Sequence, residues 1–106
     1  MTEIQPQKLK SMIDGGEDLQ IIDIREKHEV DSGEISDMHI PMAEVMDRLD
    51  EIRKDCPVVI YCKSGSRAGA VVHVLETEKG FTNVHCLCGG IQAWADHIDP
   101  NVNVYG

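Results

Sequence analysis

Residues 58–68, which read VVIYCKSGSRA, decide the fold, because a short apolar run stops there at a cysteine and a glycine-bearing turn follows. The apolar run at residues 58–61, introduced by Pro57, is typical of a strand that is covered on both faces. A helix is predicted after the turn, with an apolar face made of Ala68, Val71, Val72 and Leu75. Gly80 ends this helix.

Strands and helices alternate along the rest of the chain. Helices are predicted at residues 5–14, 42–52 and 90–97, a helical turn at 26–31, and further strands at 19–24 and 83–87. Such alternation implies right-handed crossovers and a mainly parallel sheet with helices on both faces. We therefore expect a three-layer α/β fold with a single domain over residues 1–106, whose core includes the methionines, Met42 and Met46 among them.

Composition excludes several classes of protein. A net charge of -9 argues against nucleic-acid binding, which needs clustered Lys and Arg. No apolar run is long enough to cross a membrane, and the N-terminus lacks the apolar core of a signal peptide.

We expect a cytoplasmic protein whose four cysteines are free thiols. No metal or cofactor is expected, since His85, Cys86 and Cys88 do not have the spacing of a tetrahedral site.

Cys62 is the candidate nucleophile. It stands where a parallel strand ends and a helix begins, which is where α/β proteins bind ligands. The turn amides, the helix dipole, and the charges of Lys63 and Arg67 all favour a thiolate there. Gly65 permits the positive φ that such a turn needs. The alternative is that Cys62 is a small buried hydrophobic residue with no reactivity.

Three motifs resemble the rhodanese family of sulfurtransferases. VVIYCKSGSRA resembles the family's C-x-x-G-x-R active-site loop, and IIDIRE at residues 21–26 resembles its L-I-D-V-R-E strand end. GFTNV at residues 80–84 and LCGGIQAW at 87–94 resemble its G-F-x-N-V and L-x-G-G-I-x-A-W segments. The resemblance extends over residues 19–97, and the ordered occurrence of the motifs makes it specific.

This resemblance implies a persulfide mechanism. Cys62 would take the outer sulfur of thiosulfate or a similar small anionic donor, and cyanide, a small thiol or a protein thiol would then accept it. The resemblance also implies that Asp23 and Arg25 support the scaffold, through a charge-assisted pair or through backbone hydrogen bonds, and do not perform chemistry. The anion-binding loop would consist of Lys63, Ser64, Gly65, Ser66 and Arg67.

Two other functions remain open: a thiol-redox or phosphatase-type enzyme that uses Cys62, and a non-catalytic rhodanese-like binding module. The related phosphatases have a C-x5-R loop, whereas Cys62 to Arg67 is C-x4-R, which suits one sulfur better than a phosphoryl group. The intact cysteine and its cationic loop disfavour the binding module.

The sequence departs from the family at residues 33–38, where GEISDM replaces the usual G-H-I-x-G-A and Glu34 replaces its histidine. Cys88 is a second candidate residue, because it follows a strand that is expected to neighbour the Cys62 strand. Cys88 could resolve an oxidised Cys62 by forming a disulfide if the two Cα atoms come within about 7 Å. The alternative is that Cys88 only packs.

Overall fold

A computed structural model describes residues 1–36 and 38–102. Asp37, part of the stretch that departs from the family pattern, and residues 103–106, part of the expected domain, lie outside the described residues. The strands are β1 (Glu3–Ile4), β2 (Gln20–Asp23), β3 (Val58–Tyr61) and β4 (Val84–Leu87). The α-helices are α1 (Pro6–Asp14), α2 (Lys27–Val30), α3 (Ser66–Glu78) and α4 (Gly90–His97).

The strands form one parallel sheet in the order β1-β4-β3-β2. Ile60 of β3 lies between Ile22 of β2 and Cys86 of β4. On one face, the side chains of α3 pack with those of Ile22, Ile60 and Cys86, and on the other face α1 and α4 pack against Val59 and Tyr61. The predicted three-layer α/β architecture is therefore confirmed.

β1 is a strand that the sequence pattern did not predict. Its residues Glu3 and Ile4 pair with Cys86 and Leu87 at the edge of the sheet. Two residues are too few to show the alternation by which a strand is recognised in a sequence. The pairing places the N-terminal segment next to the cysteines of β4.

The α-helix predicted at residues 42–52 is wrong, because this segment forms two 3-10 helices, Met42–Asp47 and Leu49–Glu51. Arg48 separates them with a φ of -127°, which is not helical. Val45 is buried, but Met42 and Met46 are exposed, and so is Met1, so the assignment of these three methionines to the core is also wrong. The tighter helix and the break at Arg48 do not keep the apolar residues on the single face that an α-helix would give them.

Candidate functional site

The loop after β3 wraps around the sulfur of Cys62. The backbone N–H of Gly65 donates a hydrogen bond to Cys62 Sγ at 3.1 Å, and the N–H of Ala68 donates another at 3.4 Å. Ala68 lies in the first turn of α3, whose early N–H groups have no partner within the helix. The sulfur thus occupies the place of an anion at a helix N-terminus.

Gly65 makes this loop geometry possible. Its φ is +104°, a left-handed conformation that strains any residue with a Cβ. This φ lets the turn around Cys62 continue directly into α3. Gly65 is also the residue immediately before α3, so one residue both closes the turn and starts the helix.

Cys62 is buried, whereas most of the loop that follows it is exposed to solvent. The Cys62 residue has 0% of its surface exposed, whereas Lys63, Ser64 and Ser66 of the loop are exposed. The sulfur therefore lies directly beneath a solvent-facing loop, and the apolar side chains of β2, β3 and α3 lie behind it.

The N-terminus of α4 fixes the loop from the other side. The N–H of Ile91 donates to the carbonyl oxygen of Cys62 at 2.9 Å, and that of Gln92 donates to the carbonyl oxygen of Lys63 at 3.0 Å. Gly90 allows this approach, because a Cβ built at Gly90 would lie 2.5 Å from the Lys63 oxygen. The Gly89-Gly90 motif thus holds the backbone of the Cys62 loop in position.

Asp23 and Arg25 form a buried ion pair at the end of β2. Arg25 Nη2 lies 2.6 Å from Asp23 Oδ2, and both side chains are fully buried. The Arg25 guanidinium also donates to the carbonyl oxygens of Glu29 at 3.2 Å and Gly33 at 2.6 Å. Hydrogen bonds and charge interaction with Asp23 raise the pKa of Arg25 in spite of its burial. The pair therefore connects β2 to α2 and to the segment after α2.

Arg67 is bound by an acidic residue to which sequence reasoning gave no role. Its Nη1 and Nη2 donate to Glu29 Oε1 at 2.8 Å and Oε2 at 3.0 Å. Hydrogen bonds from Arg67 lower the pKa of Glu29 to about 2, and Glu29 raises that of Arg67. The only hint of an acidic partner in the sequence was Arg67 itself, because a partly buried charge needs a partner of opposite sign.

The two cysteines of β4 and the following turn have separate surroundings. Cys86 is buried in the same cluster as Cys62, and its Sγ lies 3.5 Å from the carbonyl oxygen of Gly65. Cys88 follows β4, and its Sγ lies 2.8 Å from Glu3 Oε2, on the side of β1. Burial, followed by its hydrogen bond to Glu3, raises the pKa of Cys88 to about 11. β4 does neighbour β3, as predicted, but the Cys88 thiol contacts β1.

Ile35 and Ser36, in the stretch that departs from the family pattern, form hydrogen bonds with residues of β3 and β2. The N–H of Ile35 donates to the Tyr61 hydroxyl at 3.0 Å, and the Ser36 hydroxyl donates to the carbonyl oxygen of Ile21 at 2.7 Å. His39 forms a parallel bridge with Asp23 beside β2. Within the described ranges 1–36 and 38–102, no three His, Cys, Asp or Glu side chains form a metal-binding group. No helix in these same ranges is long and apolar enough to cross a bilayer.

Comparison with known proteins gives consistent matches. Residues 5–97 match the sequence profile of the rhodanese-like domain. A sulfurtransferase from Allochromatium vinosum is 39% identical over 103 residues, which cover 96% of this chain and 95% of that protein. A rhodanese-like domain protein from Staphylococcus aureus has a similar structure, with a TM-score of 0.83, 29% identity and full coverage of both chains. An NAD-dependent persulfide reductase from A. fulgidus has a TM-score of 0.70 and 32% identity over 89% of this chain and 16% of its own.

Proposed function

The chain belongs to the rhodanese-like family, and we propose that it is a sulfurtransferase in which Cys62 carries the transferred sulfur as a persulfide. The observation that carries this proposal is the pair of hydrogen bonds from Gly65 and Ala68 to Cys62 Sγ. N–H donors fixed in advance around a sulfur stabilise its negative charge without reorganisation during the reaction.

The proposed reaction has two displacements. The Cys62 thiolate attacks the outer sulfur of thiosulfate, the bond between the two donor sulfurs breaks, and its electron pair leaves with sulfite. The new Cys62–S–S⁻ is then attacked at its outer sulfur by cyanide or a thiolate, which returns the Cys62 thiolate. Atoms and charge balance in both steps, and no oxidant is needed.

The loop residues have separate roles in this proposal. The small donor approaches the buried sulfur from the solvent side, where Lys63, Ser64 and Ser66 are exposed. Lys63 attracts the anionic donor, and the serine hydroxyls donate hydrogen bonds to it. Asp23 and Arg25 hold β2 and α2 behind the loop and do not meet the donor.

The donor and acceptor are proposed as classes. Thiosulfate and organic persulfides are donors of the required kind, and the A. fulgidus neighbour is by name an enzyme of persulfide chemistry. The acceptor is a small thiol, a protein thiol or cyanide. We place the reaction in the cytoplasm, where the four cysteines, all free in this structure, stay reduced.

Intact-mass spectrometry tests the proposal. The purified protein is incubated separately with thiosulfate and with cysteine persulfide, and a species that is one sulfur atom heavier is expected. Cys62→Ser should abolish this species, whereas Cys88→Ser should keep it. Addition of cyanide should return the original mass and release thiocyanate. An unchanged mass with both donors would refute the proposal, and hydrolysis of a phosphate ester would then indicate the phosphatase alternative.

A further inference from the structure

The positive charge of Arg67 is already paired within the protein. Both terminal nitrogens of its guanidinium point to the carboxylate of Glu29, with one hydrogen bond to each oxygen at 2.8 and 3.0 Å. A forked pair of this kind fixes the direction of the guanidinium as well as its charge. The Glu29 side chain is 15% exposed and that of Arg67 is 35% exposed. The cation that the sequence offers to a donor is therefore balanced by an anion 38 positions earlier in the chain.

Glu29 is held firmly in place. Its Oε1 accepts a hydrogen bond from the N–H of Glu26 at 3.1 Å, which closes the capping box of α2. Its backbone carbonyl oxygen accepts a hydrogen bond from the buried Arg25. The carboxylate cannot turn away from Arg67 without loss of the α2 cap, and its low pKa keeps it ionised at physiological pH.

Glu29 changes the electrostatic requirement for the sulfur donor. Approach of a dianion to a thiolate is opposed by charge repulsion, which an unpaired Arg67 would reduce. With Glu29 in place, the Glu29–Arg67 pair adds no net charge to the site. Donors with fewer negative charges are repelled less by the Cys62 thiolate. Their rate of reaction therefore increases relative to that of dianionic donors.

We propose that Glu29 is a specificity-determining residue, which sets the site to prefer persulfide donors of low charge over dianionic thiosulfate. This inference rests on the proposed function. With a persulfide donor, the Cys62 thiolate attacks the outer sulfur of R–S–S⁻, the S–S bond of the donor breaks, and R–S⁻ leaves with the electron pair. The persulfide group of the donor thus becomes a thiolate while the Cys62 thiolate becomes a persulfide, and atoms and electrons balance.

A series of donors that differ in net charge tests the inference. The rate of Cys62 persulfide formation is measured by mass spectrometry with thiosulfate, cysteine persulfide and cysteamine persulfide, which carry two, one and no net negative charges. Glu29→Gln removes the negative charge but keeps a side chain that can close the capping box. We expect its rate with thiosulfate, relative to cysteamine persulfide, to be about tenfold higher than in the wild-type protein.

Two further variants make the result specific. Glu51→Gln is the matched control, because Glu51 forms an equivalent forked pair with Arg48 at 2.6 and 2.8 Å in the 3-10 segment. Its donor preference should equal that of the wild-type protein. Arg67→Gln leaves Glu29 without its cation, and it should shift the preference further against thiosulfate. It tests the inference even if Glu29→Gln does not fold.

The possible failures can be told apart. If Glu29→Gln changes the rates with all three donors by the same factor, Glu29 only positions the loop and the inference is wrong. If Glu29→Gln and Arg67→Gln both keep the wild-type preference, it is wrong as well. If no donor gives a persulfide on Cys62 in the wild-type protein, the proposed function itself has failed.

Discussion

Two neighbouring strands, β3 and β4, each lead to a cysteine, a turn with a left-handed glycine and a helix, but the two cysteines have different partners. At the end of β3, the Cys62 sulfur accepts hydrogen bonds from backbone amides. At the end of β4, the Cys88 thiol faces the carboxylate of Glu3. The amides that begin α4 point to the carbonyl oxygens of the Cys62 loop and not to Cys88.

This comparison shows that a cysteine placed before a helix does not by itself receive hydrogen bonds from the first N–H groups of that helix. The decisive feature is what the first N–H groups of the helix contact. Those of α3 include a donor to Cys62, whereas those of α4 bind the Cys62 and Lys63 carbonyls. Helix α3 thus donates a hydrogen bond to the sulfur, and α4 holds the loop that carries the sulfur. The following predictions test this division of roles.

The largest effect is expected from Gly90→Ala, which tests whether α4 holds the loop. Gly90 has a φ of +61°, and a Cβ there would lie 2.5 Å from the Lys63 carbonyl oxygen. We expect a loss of about 3–5 kcal/mol in the free energy of unfolding, measured by urea denaturation, together with slower persulfide formation.

Gly80→Ala is the matched control for that change. Its φ of +73° is similar, but a Cβ there would meet no atom within 4 Å. The cost should be that of backbone strain alone, about 1–2 kcal/mol. Equal losses of unfolding free energy in the two variants would mean that contact between α4 and the Cys62 loop does not contribute to stability.

The next largest effect is expected from Glu3→Gln, which tests the restraint on Cys88. Burial and the hydrogen bond from Cys88 to Glu3 raise the thiol pKa from its ordinary 9.0 to about 11. Loss of the Glu3 charge should lower this pKa, and the rate of Cys88 alkylation at pH 8.5, followed by peptide mass spectrometry, should rise about tenfold. Glu78→Gln, at the end of α3, removes the same charge elsewhere and should leave the rate unchanged. An unaltered rate in Glu3→Gln would disprove the role of Glu3.

A smaller effect is expected in acid, where the Glu29–Arg67 pair is lost. The pKa of Glu29 is lower in the folded protein, about 2, than its ordinary 4.5, so the folded state binds fewer protons between these values. The stabilisation by this group is therefore complete above about pH 4.5 and disappears as the pH falls toward 2. Denaturation curves over this range should show a steeper loss for the wild-type protein than for Glu29→Gln.

Glu51→Gln supplies the comparison for the acid experiment. Arg48 also lowers the pKa of Glu51, but the Glu51 side chain is 41% exposed, whereas that of Glu29 is 15% exposed. Exposed pairs contribute little, so Glu51→Gln should follow the wild-type curve more closely than Glu29→Gln does. The reverse order would show that the Glu29–Arg67 pair does not stabilise the fold.

Sequence patterns predicted most of the elements because these elements depend on local signals. Helix α4 begins and ends at the predicted residues, since the glycines at its start and the apolar residues within it are neighbours in the chain. The position of Cys62 at the end of β3 was predicted for the same reason. The predicted family was confirmed, because its motifs are also local.

The features that were not predicted depend on distant contacts. Strand β1 exists through its pairing with β4, more than 80 residues away, and two residues carry no periodic signal. Glu29 meets Arg67 only after α2 packs beside the Cys62 loop. The direction of the Cys88 thiol likewise depends on Glu3, which β1 brings to that edge of the sheet. No pattern within a short window contains such information.

The smallest effect is expected from Cys86→Ala, which asks whether β4 contributes a thiol to the reaction. Burial, followed by the charge of Cys62, raises the pKa of Cys86 to about 11, so it is a neutral thiol at physiological pH. Its contact with the Gly65 carbonyl oxygen at 3.5 Å is a weak one. Loss of the buried sulfur atom should cost about 1 kcal/mol of stability in urea, and the yield of the Cys62 persulfide should not change. Cys86→Ala could instead abolish the persulfide while the protein stayed folded. In that case β4 would supply a reacting group, and the view that only the end of β3 carries the chemistry would be wrong.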